Sequence, residues 1–329
     1  MKIAIVILNW NGTKLLAEFL PSVVKHSEKA TVYIADNASN DDSVDFTIKN
    51  FPTVKIIKNK INGGYAKGYN DALKEVDADV LCLLNNDVEV TEDWLNPIVD
   101  CFQKNPEIGI VQPKLLDYKN KEYFEYAGAA GGFLDKFGYP YCRGRIFDTL
   151  EKDENQYEGV LDIFWASGAC LFIRKSVFEA LNGFDETYFA HQEEIDLCWR
   201  AINSGYHIKY VSASTVYHLG GGTLEALNPK KTYLNFRNSL FNLIKNAKGN
   251  IFMLLFVRLL LDGIAAIKFL LSFKLNHTFA ILKAHASFYK NLNRLFKRRK
   301  SLHQNSKYYH KTSIVWEYFV KNNKTYHSL

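Results

Sequence analysis

Hydrophobic positions in the first hundred residues follow two alternating periods. Short aliphatic runs at 2–8, 31–35, 54–58 and 79–84 read as strands. Between the first two, Leu15, Leu16, Phe19 and Val23 recur with helical spacing and share one face. This pattern predicts a βαβαβαβ order with parallel strands and right-handed helical crossovers. Ligands of such sheets gather beyond the carboxyl ends of the strands. The polar clusters stand there: Asn9-Trp10-Asn11-Gly12, Asp36-Asn37-Ala38-Ser39, Asn62-Gly63-Gly64 and Asn85-Asn86-Asp87 follow the four runs in turn.

From about 108 to 173 the pattern turns irregular. Gly, Tyr and Phe are dense between Glu125 and Tyr141, which suggests the extended strands and loops of a second lobe. A helix is expected over about 192–204, two short strands near 208–211 and 215–217, and a break at the glycine run 220–222. Beyond Pro229 most of the chain reads as helical. The opening MKIAIVILNWNG turns polar at Asn9, too early for a signal peptide, and is expected to be a buried first strand.

The composition, 47% hydrophobic and 23% charged over 329 residues, excludes a disordered chain and leaves ample length for a core. The formal charge of +6 conceals a division. Residues 1–222 carry 22 basic and 32 acidic groups, whereas 223–329 carry 19 basic and 3 acidic. An acidic body with a basic C-terminal third points to a tail that meets something anionic. Five dispersed cysteines without a Cys-x-x-Cys pair argue against a disulfide framework or zinc site and fit a reducing cytosol.

Several clusters carry candidate chemistry. Asp36, at a strand end facing a cleft, either hydrogen-bonds a nucleotide or caps its own turn. The absence of Gly-x-Gly-x-x-Gly after the first strand, where bulky Trp10 stands, counts against a dehydrogenase. Asn62, Gly63 and Gly64 open a helix whose N–H groups can face a phosphate, although glycines also simply permit tight turns. Asp87 ends the run expected to be the central strand, where a polar triplet is costly without a purpose. One carboxylate plus nucleotide phosphates is a common way to hold magnesium or manganese; the bland alternative is a helix-capping turn. Glu193, Glu194 and Asp196 cluster at a helix start, where the helix dipole favours them and where one can act as a general base.

Asp36, Asn85-Asn86-Asp87, the segment ASGACLFIRKSVFEALNGFDE and EEIDLCWR, in this order, resemble the family 2 glycosyltransferases, closest to their bacterial rhamnosyltransferase-like members. The resemblance covers roughly residues 1–245 and implies a GT-A fold: an α/β, Rossmann-like mixed sheet flanked by helices. It implies that Asp36 reads the donor base, with Asn9, Asn11, Asn62, Gly63, Gly64 and Asn86 around the donor. By the same likeness Asp87 matches the last Asp of the family's DxD metal motif, and Glu194 takes the place of the catalytic base. The motif here reads Asn-Asn-Asp, leaving one acidic ligand. The base position holds Glu rather than Asp, which keeps Glu193 and Asp196 as competitors. His218 would supply a missing metal ligand, and Arg237 stands where related enzymes keep an arginine near the diphosphate. No Gln-x-x-Arg-Trp signature of processive synthases occurs, which favours transfer of single sugars.

In the basic third, residues 251–271 are apolar enough to suggest a membrane span, yet Arg258, Asp262 and Lys268 interrupt them. At 100° per residue the three share one face, and the first two are placed to pair. A helix lying in the interface or packed on the body costs less than a simple span. The segment that follows alternates Phe and Leu with Lys and Arg and ends in Lys297-Arg298-Arg299-Lys300, the character of a helix that binds anionic lipid. Nucleic acid is not expected as a partner, because no binding module accompanies the charge.

The expectation is an inverting glycosyltransferase, dependent on Mg2+ or Mn2+, with a catalytic domain over 1–245 and a basic, amphipathic, membrane-associating extension over 246–329. It would move sugar from a nucleoside-diphosphate donor to a lipid-linked or polysaccharide acceptor in cell-surface glycan synthesis. Its place would be the cytoplasmic face of the membrane, as a peripheral or monotopic protein or with a single span. The rivals are a non-catalytic membrane scaffold built on a degenerate transferase domain, and a nucleotidyltransferase.

Overall fold

A computed structural model describes residues 1–220, 228–304 and 307–329. Its first third alternates strands and helices: β1 (Ile3–Asn9), α1 (Thr13–His26), β2 (Ala30–Asp36), α2 (Ser43–Asn50), β3 (Lys55–Lys58), α3 (Gly64–Ala72), β4 (Val80–Asn85), β5 (Val88–Val90), α4 (Asn96–Lys104) and β6 (Ile108–Asp117). A smaller lobe follows with β7 (Gly132–Asp135), β8 (Pro140–Cys142), β9 (Arg145–Ile146), β10 (Thr149–Leu150) and β11 (Val160–Asp162). The chain then returns through β12 (Cys170–Arg174), α5 (Lys175–Ala180), α6 (Glu193–Asn203) and β13 (His207–His218).

The main sheet runs in the order β11-β13-β6-β12-β4-β1-β2-β3, with β5 on β13. β1 is parallel to both β2 and β4, while β12 inserts antiparallel between β4 and β6. Successive residues of a strand face opposite sides, so Ile3, Ile5 and Ile7 enter one core beside Leu16 and Leu20 of α1, and Ala4 and Val6 enter the other beside Tyr69 of α3. Two apolar faces explain why the β1 run is continuously hydrophobic.

Register places the polar clusters. Asn9 pairs with Asp36, and Leu8 with Asn85, so the ends of β1, β2 and β4 lie side by side at one edge. His218 pairs with Val88, and the Leu219 N–H donates to the Asp87 carbonyl at 3.0 Å. Residues as many as 132 places apart, Asp87 and Leu219, thus share one corner only through the sheet.

Two expectations are corrected. Residues 108–117 belong to the main sheet as buried β6 and not to an irregular second lobe. Residues 208–211 and 215–217 are one strand, β13, whose register shifts between Val211 and Thr215; a bulge there absorbs extra residues. Of the glycine run, Gly221 and Gly222 lie outside the described residues.

The C-terminal part consists of α7 (Pro229–Asn246), α8 (Ile251–Leu271), α9 (Leu275–Lys300), β14 (Tyr309–Lys311) and α10 (Ile314–Phe319). Among the described residues no helix is long and apolar enough to cross a membrane, so the single span entertained for 251–271 is set aside. The reason is visible in α8: Arg258 and Asp262 pair at 2.8 Å, 3% and 0% exposed, and both reach inward to Tyr139, Ser239 and His285. The tail beyond α9 is not helical throughout. β14 adds to β7 in the second sheet, order β10-β9-β8-β7-β14, and the buried carboxylate of Asp135 accepts from the Ile314 N–H at 2.9 Å.

Candidate active site

The carboxyl ends of β1, β2 and β4 are tied together by side-chain amides and hydroxyls. Asn9 is fully buried; its Nδ2 donates to Ser43 Oγ at 3.0 Å and its Oδ1 accepts from Asn86 Nδ2 at 3.0 Å. Asn11, at φ 51°, donates its N–H to Ser39 Oγ at 2.9 Å, and its Oδ1 accepts from the Asn40 N–H at 2.7 Å. Asp36 faces the Ser39 N–H at 3.3–3.4 Å. These residues therefore brace the loops that rim the strand ends, and Gly12 is needed where they meet, since a Cβ there would lie 2.2 Å from Asn9 Oδ1.

The Asn62-Gly63-Gly64 turn opens α3 as expected, but two N–H groups at the helix start are engaged within the protein. Gly64 donates to Asn62 Oδ1 at 3.0 Å, and Tyr65 donates to the Phe189 carbonyl at 2.8 Å. Gly64 has φ +77°, and a Cβ there would meet the Phe189 carbonyl oxygen at 2.4 Å. The turn consequently supports the segment before α6.

That segment is strained. Phe189, His191 and Gln192 have φ of 64°, 67° and 73°, each a conformation that costs a non-glycine residue on the order of 1–3 kcal/mol and persists only when its surroundings enforce it. α7 enforces it. Asn238 Nδ2 lies 3.0 Å from the Ala190 carbonyl and 2.7 Å from that of His191, Asn242 Nδ2 donates to the Gln192 carbonyl at 3.1 Å, and Arg237 Nη2 donates to the Tyr188 carbonyl at 3.0 Å. Arg237, expected near a diphosphate, is thus occupied with backbone carbonyls of this loop and with Asn238 Oδ1 at 2.8 Å. Sequence reasoning missed the clamp, because positive φ at Phe, His and Gln leaves no compositional trace.

The loop delivers Glu193 and Glu194 at the first turn of α6. Burial pushes both carboxyls up. Glu193, with Oε2 buried and unpartnered, rises well above the usual range, helped by the charge of Glu194. Glu194, half-buried, rises to about 7, the backbone N–H groups of the helix start offsetting part of the cost. Asp196 lies elsewhere in role. It is fully buried, bonded to Arg200 Nε, Lys245 Nζ and Asn246 Nδ2, each at 2.8 Å, and those cations hold its carboxyl below the usual range against burial. It fastens α6 to α7, with no oxygen left for a proton from outside.

Asp87 and His218, at the ends of β4 and β13, meet at 3.1 Å between Oδ1 and Nε2, and Glu125 Oε1 lies 3.1 Å from His218 Nδ1 on the other side. All three are buried. Burial opposes charge on the imidazole, but Glu125 and Asp87 outweigh it and lift His218 to about 10. Among the described residues no group of three His, Cys, Asp or Glu side chains is assembled to hold a metal ion. The pair present nevertheless fits a divalent cation that completes its shell with phosphate and water. One carboxylate oxygen and one imidazole nitrogen converge, and Glu125 stands behind the imidazole, where a carboxylate orients a metal-bound histidine. Glu125 was not singled out in the sequence; it lies in the irregular stretch, and nothing in its spacing links it to β13. The five cysteines are free and buried.

Comparison with known proteins bears on the family and the fold. The family model for glycosyl transferase family 2 matches residues 4–181. An N-acetylglucosaminyl-diphospho-decaprenol L-rhamnosyltransferase of Mycobacterium tuberculosis is 26% identical over 218 residues, 62% of this chain and 71% of its own. The rhamnosyltransferase WbbL of Escherichia coli is 26% identical over 168 residues, covering 48% and 62%. Among solved structures, GalNAc-T7 with UDP, GalNAc and Mn2+ superposes with a TM-score of 0.58 at 19% identity, covering 75% of this chain and 48% of that one. Staphylococcus aureus TarS 1-349 with UDP-GlcNAc gives 0.55 at 16%, covering 91% and 84%, and a Pyrobaculum calidifontis mannosyltransferase with GDP-Man and Mn2+ gives 0.55 at 12%, covering 89% and 75%. With its mixed sheet and flanking helices of GT-A type, the chain belongs to glycosyl transferase family 2, as a glycosyltransferase of the bacterial rhamnosyltransferase-like kind.

Proposed function

We propose that the protein transfers a single sugar from a nucleoside-diphosphate donor, with inversion at the anomeric carbon, to a lipid-linked acceptor or growing polysaccharide in cell-surface glycan synthesis, at the cytoplasmic face of the membrane. The observation that carries this reading is Glu194, a carboxylate brought close to neutral titration by burial and delivered by a loop that α7 holds under strain. A base poised near the working pH is most effective in proton transfer. Glu194 takes the proton of the acceptor hydroxyl as its oxygen attacks opposite the leaving diphosphate. Burial and the neighbouring Glu194 charge push the Glu193 carboxyl well above the usual range, which disfavours a second negative charge beside the nucleophile. Asp36, Asn11 and Asn86 shape the rim that receives the nucleoside. Asp87 and His218 would hold Mg2+ or Mn2+, whose positive charge favours departure of the diphosphate. Nucleotide sugars bound by the fold neighbours support the donor class, and the diphospho-decaprenol rhamnosyltransferase supports a lipid-linked acceptor.

The test is incubation of the full chain with Mn2+, a panel of nucleotide sugars and prenyl-diphosphate sugars, with product mass and anomeric configuration read by mass spectrometry and NMR. One donor is expected to yield a product of inverted configuration, and folded Asp87→Asn and Glu194→Gln proteins are expected to lose transfer. Wild-type rates in both variants would overturn the assignment of roles, and a retained configuration would overturn inversion.

A further inference from the structure

Helices α8 and α9 form an antiparallel hairpin, closed by a turn at Phe273, which has φ 57°, and by ring contact between Phe252 and Phe296 at the other end. Its inner side is fastened to the body. Arg258 Nη2 donates to Ser239 Oγ of α7 at 2.6 Å, and His277 Nδ1 meets Thr232 Oγ1 of α7 at 2.8 Å. Phe288 and Leu295 are buried, each 1% exposed.

The outer side is the reverse of what a packed helix shows. Along α8, Phe252, Phe256, Leu260, Ile264, Ile267 and Leu271 are exposed, from 55% to 75%. At 100° per residue they fall within about 120° of arc, opposite the buried Leu254, Arg258, Asp262 and Ala266. Of the three charges that break the apolar run in sequence, Arg258 and Asp262 are therefore on the inside, and the exposed Lys268 stands about 40° beyond the edge of the outward arc, which carries none. The face continues through the turn, where Phe273 is 91% exposed, onto Leu275, Phe279 and Leu282 of α9. Farther along α9 the outward residues become Lys290, Arg294, Lys297, Arg298 and Lys300, all exposed. Between 251 and 300 ten basic residues stand against one acid, and that acid, Asp262, is the buried partner of Arg258.

We propose that this outward face is a monotopic docking surface for an anionic lipid bilayer, with the α8–α9 turn immersed among the acyl chains and the basic end of α9 against the headgroups. An apolar patch of this extent on a soluble surface marks an interaction site, and the adjoining positive charge selects its occupant. A second copy would bring the same basic face against itself, whereas anionic headgroups neutralise it. Helices of this character lie in the interface with their apolar side buried a few ångströms deep. Because the hairpin is bonded to the same α7 that clamps the Glu194 loop, docking fixes the transfer site close to the bilayer. The inference rests on the surface alone and stands or falls independently of the reaction.

The experiment uses the full chain without donor or acceptor. It is sedimented with vesicles of phosphatidylcholine and with vesicles carrying about one third phosphatidylglycerol. A Phe273→Trp protein reports depth through quenching by lipids brominated along the acyl chain. Binding to the anionic vesicles is expected, with quenching at Trp. Replacing Lys297, Arg298 and Lys300 by Gln is expected to weaken anionic binding by about fivefold per charge. Ile264→Glu with Ile267→Glu is expected to abolish quenching while circular dichroism stays unchanged, since both side chains point to solvent. Absence of binding to either vesicle would overturn the proposal. So would binding without acyl-chain quenching, or sedimentation equilibrium showing a dimer that the two Glu substitutions dissolve while vesicles are ignored.

Discussion

Replacing Glu194 by Gln separates what the residue does for transfer from what it costs the fold. Burial carries its carboxyl from the usual 4.5 to about 7, and each unit corresponds to about 1.4 kcal/mol. The unfolded chain releases this proton near 4.5 and the native chain near 7. Between those values the native state holds a proton the unfolded state lacks, so native stability falls as pH rises through the window and stays lower above it, by ~3 kcal/mol in all. Gln is neutral throughout and nearly isosteric. The Glu194→Gln protein is therefore expected to match the wild type near pH 4.5 and to exceed its stability near pH 8 by about 1–3 kcal/mol, while transfer falls by about 100-fold or more. Urea unfolding at several pH values measures the first quantity. The pH profile of wild-type kcat, expected to rise through about 7, measures the second. A stability difference independent of pH, or a rate profile flat between pH 6 and 8, would refute the reasoning.

Three other outcomes are expected. Asp87→Asn and His218→Ala should each weaken Mn2+ binding, read by calorimetry or the Mn2+ electron paramagnetic resonance signal, and Glu125→Gln should weaken it less, by roughly tenfold, because it only orients the imidazole. Gly64→Ala should destabilise the protein by about 1–2 kcal/mol from its left-handed backbone alone, and should also lower kcat, because the new methyl group meets the Phe189 carbonyl; an unaltered kcat in a folded protein would disconnect this turn from the base. Asn238→Ala, which frees the carbonyls of Ala190 and His191, should lower kcat with little change in donor KM, and an equal loss in both would mean that the loop binds donor instead.

The strand-end clusters were legible because two periodicities, 2 and 3.6, place Asn9, Asp36 and Asn85 at one edge without any knowledge of contacts, and the register confirms it. The position of Asp87 followed from the same logic. What sequence could not supply was everything that depends on long-range closure. β6 looked irregular because a strand buried on both faces, IGIVQPKLLD, alternates nothing and contains a proline. Asp196 looked equivalent to its neighbours Glu193 and Glu194, since charge and helix position are shared. Only the arrival of Lys245 from α7, 49 residues on, turns it into a buried anchor.

The C-terminal third shows the same limit from the opposite side. Summed along the chain, α8 is an apolar segment flawed by charge, and its average suits neither a span nor a soluble helix. Resolved around the helix axis, it is two different surfaces. The side bearing Arg258 and Asp262 closes on Tyr139, Ser239 and His285, so the pair is satisfied by neighbours on every side. Removing one partner would leave an uncompensated buried charge, at a cost of about 3–5 kcal/mol, so these residues hold the hairpin against the body. With Arg258 and Asp262 spent inward and Lys268 at its margin, the opposite side is left apolar, and a helix too charged to cross a membrane becomes one suited to lie upon it.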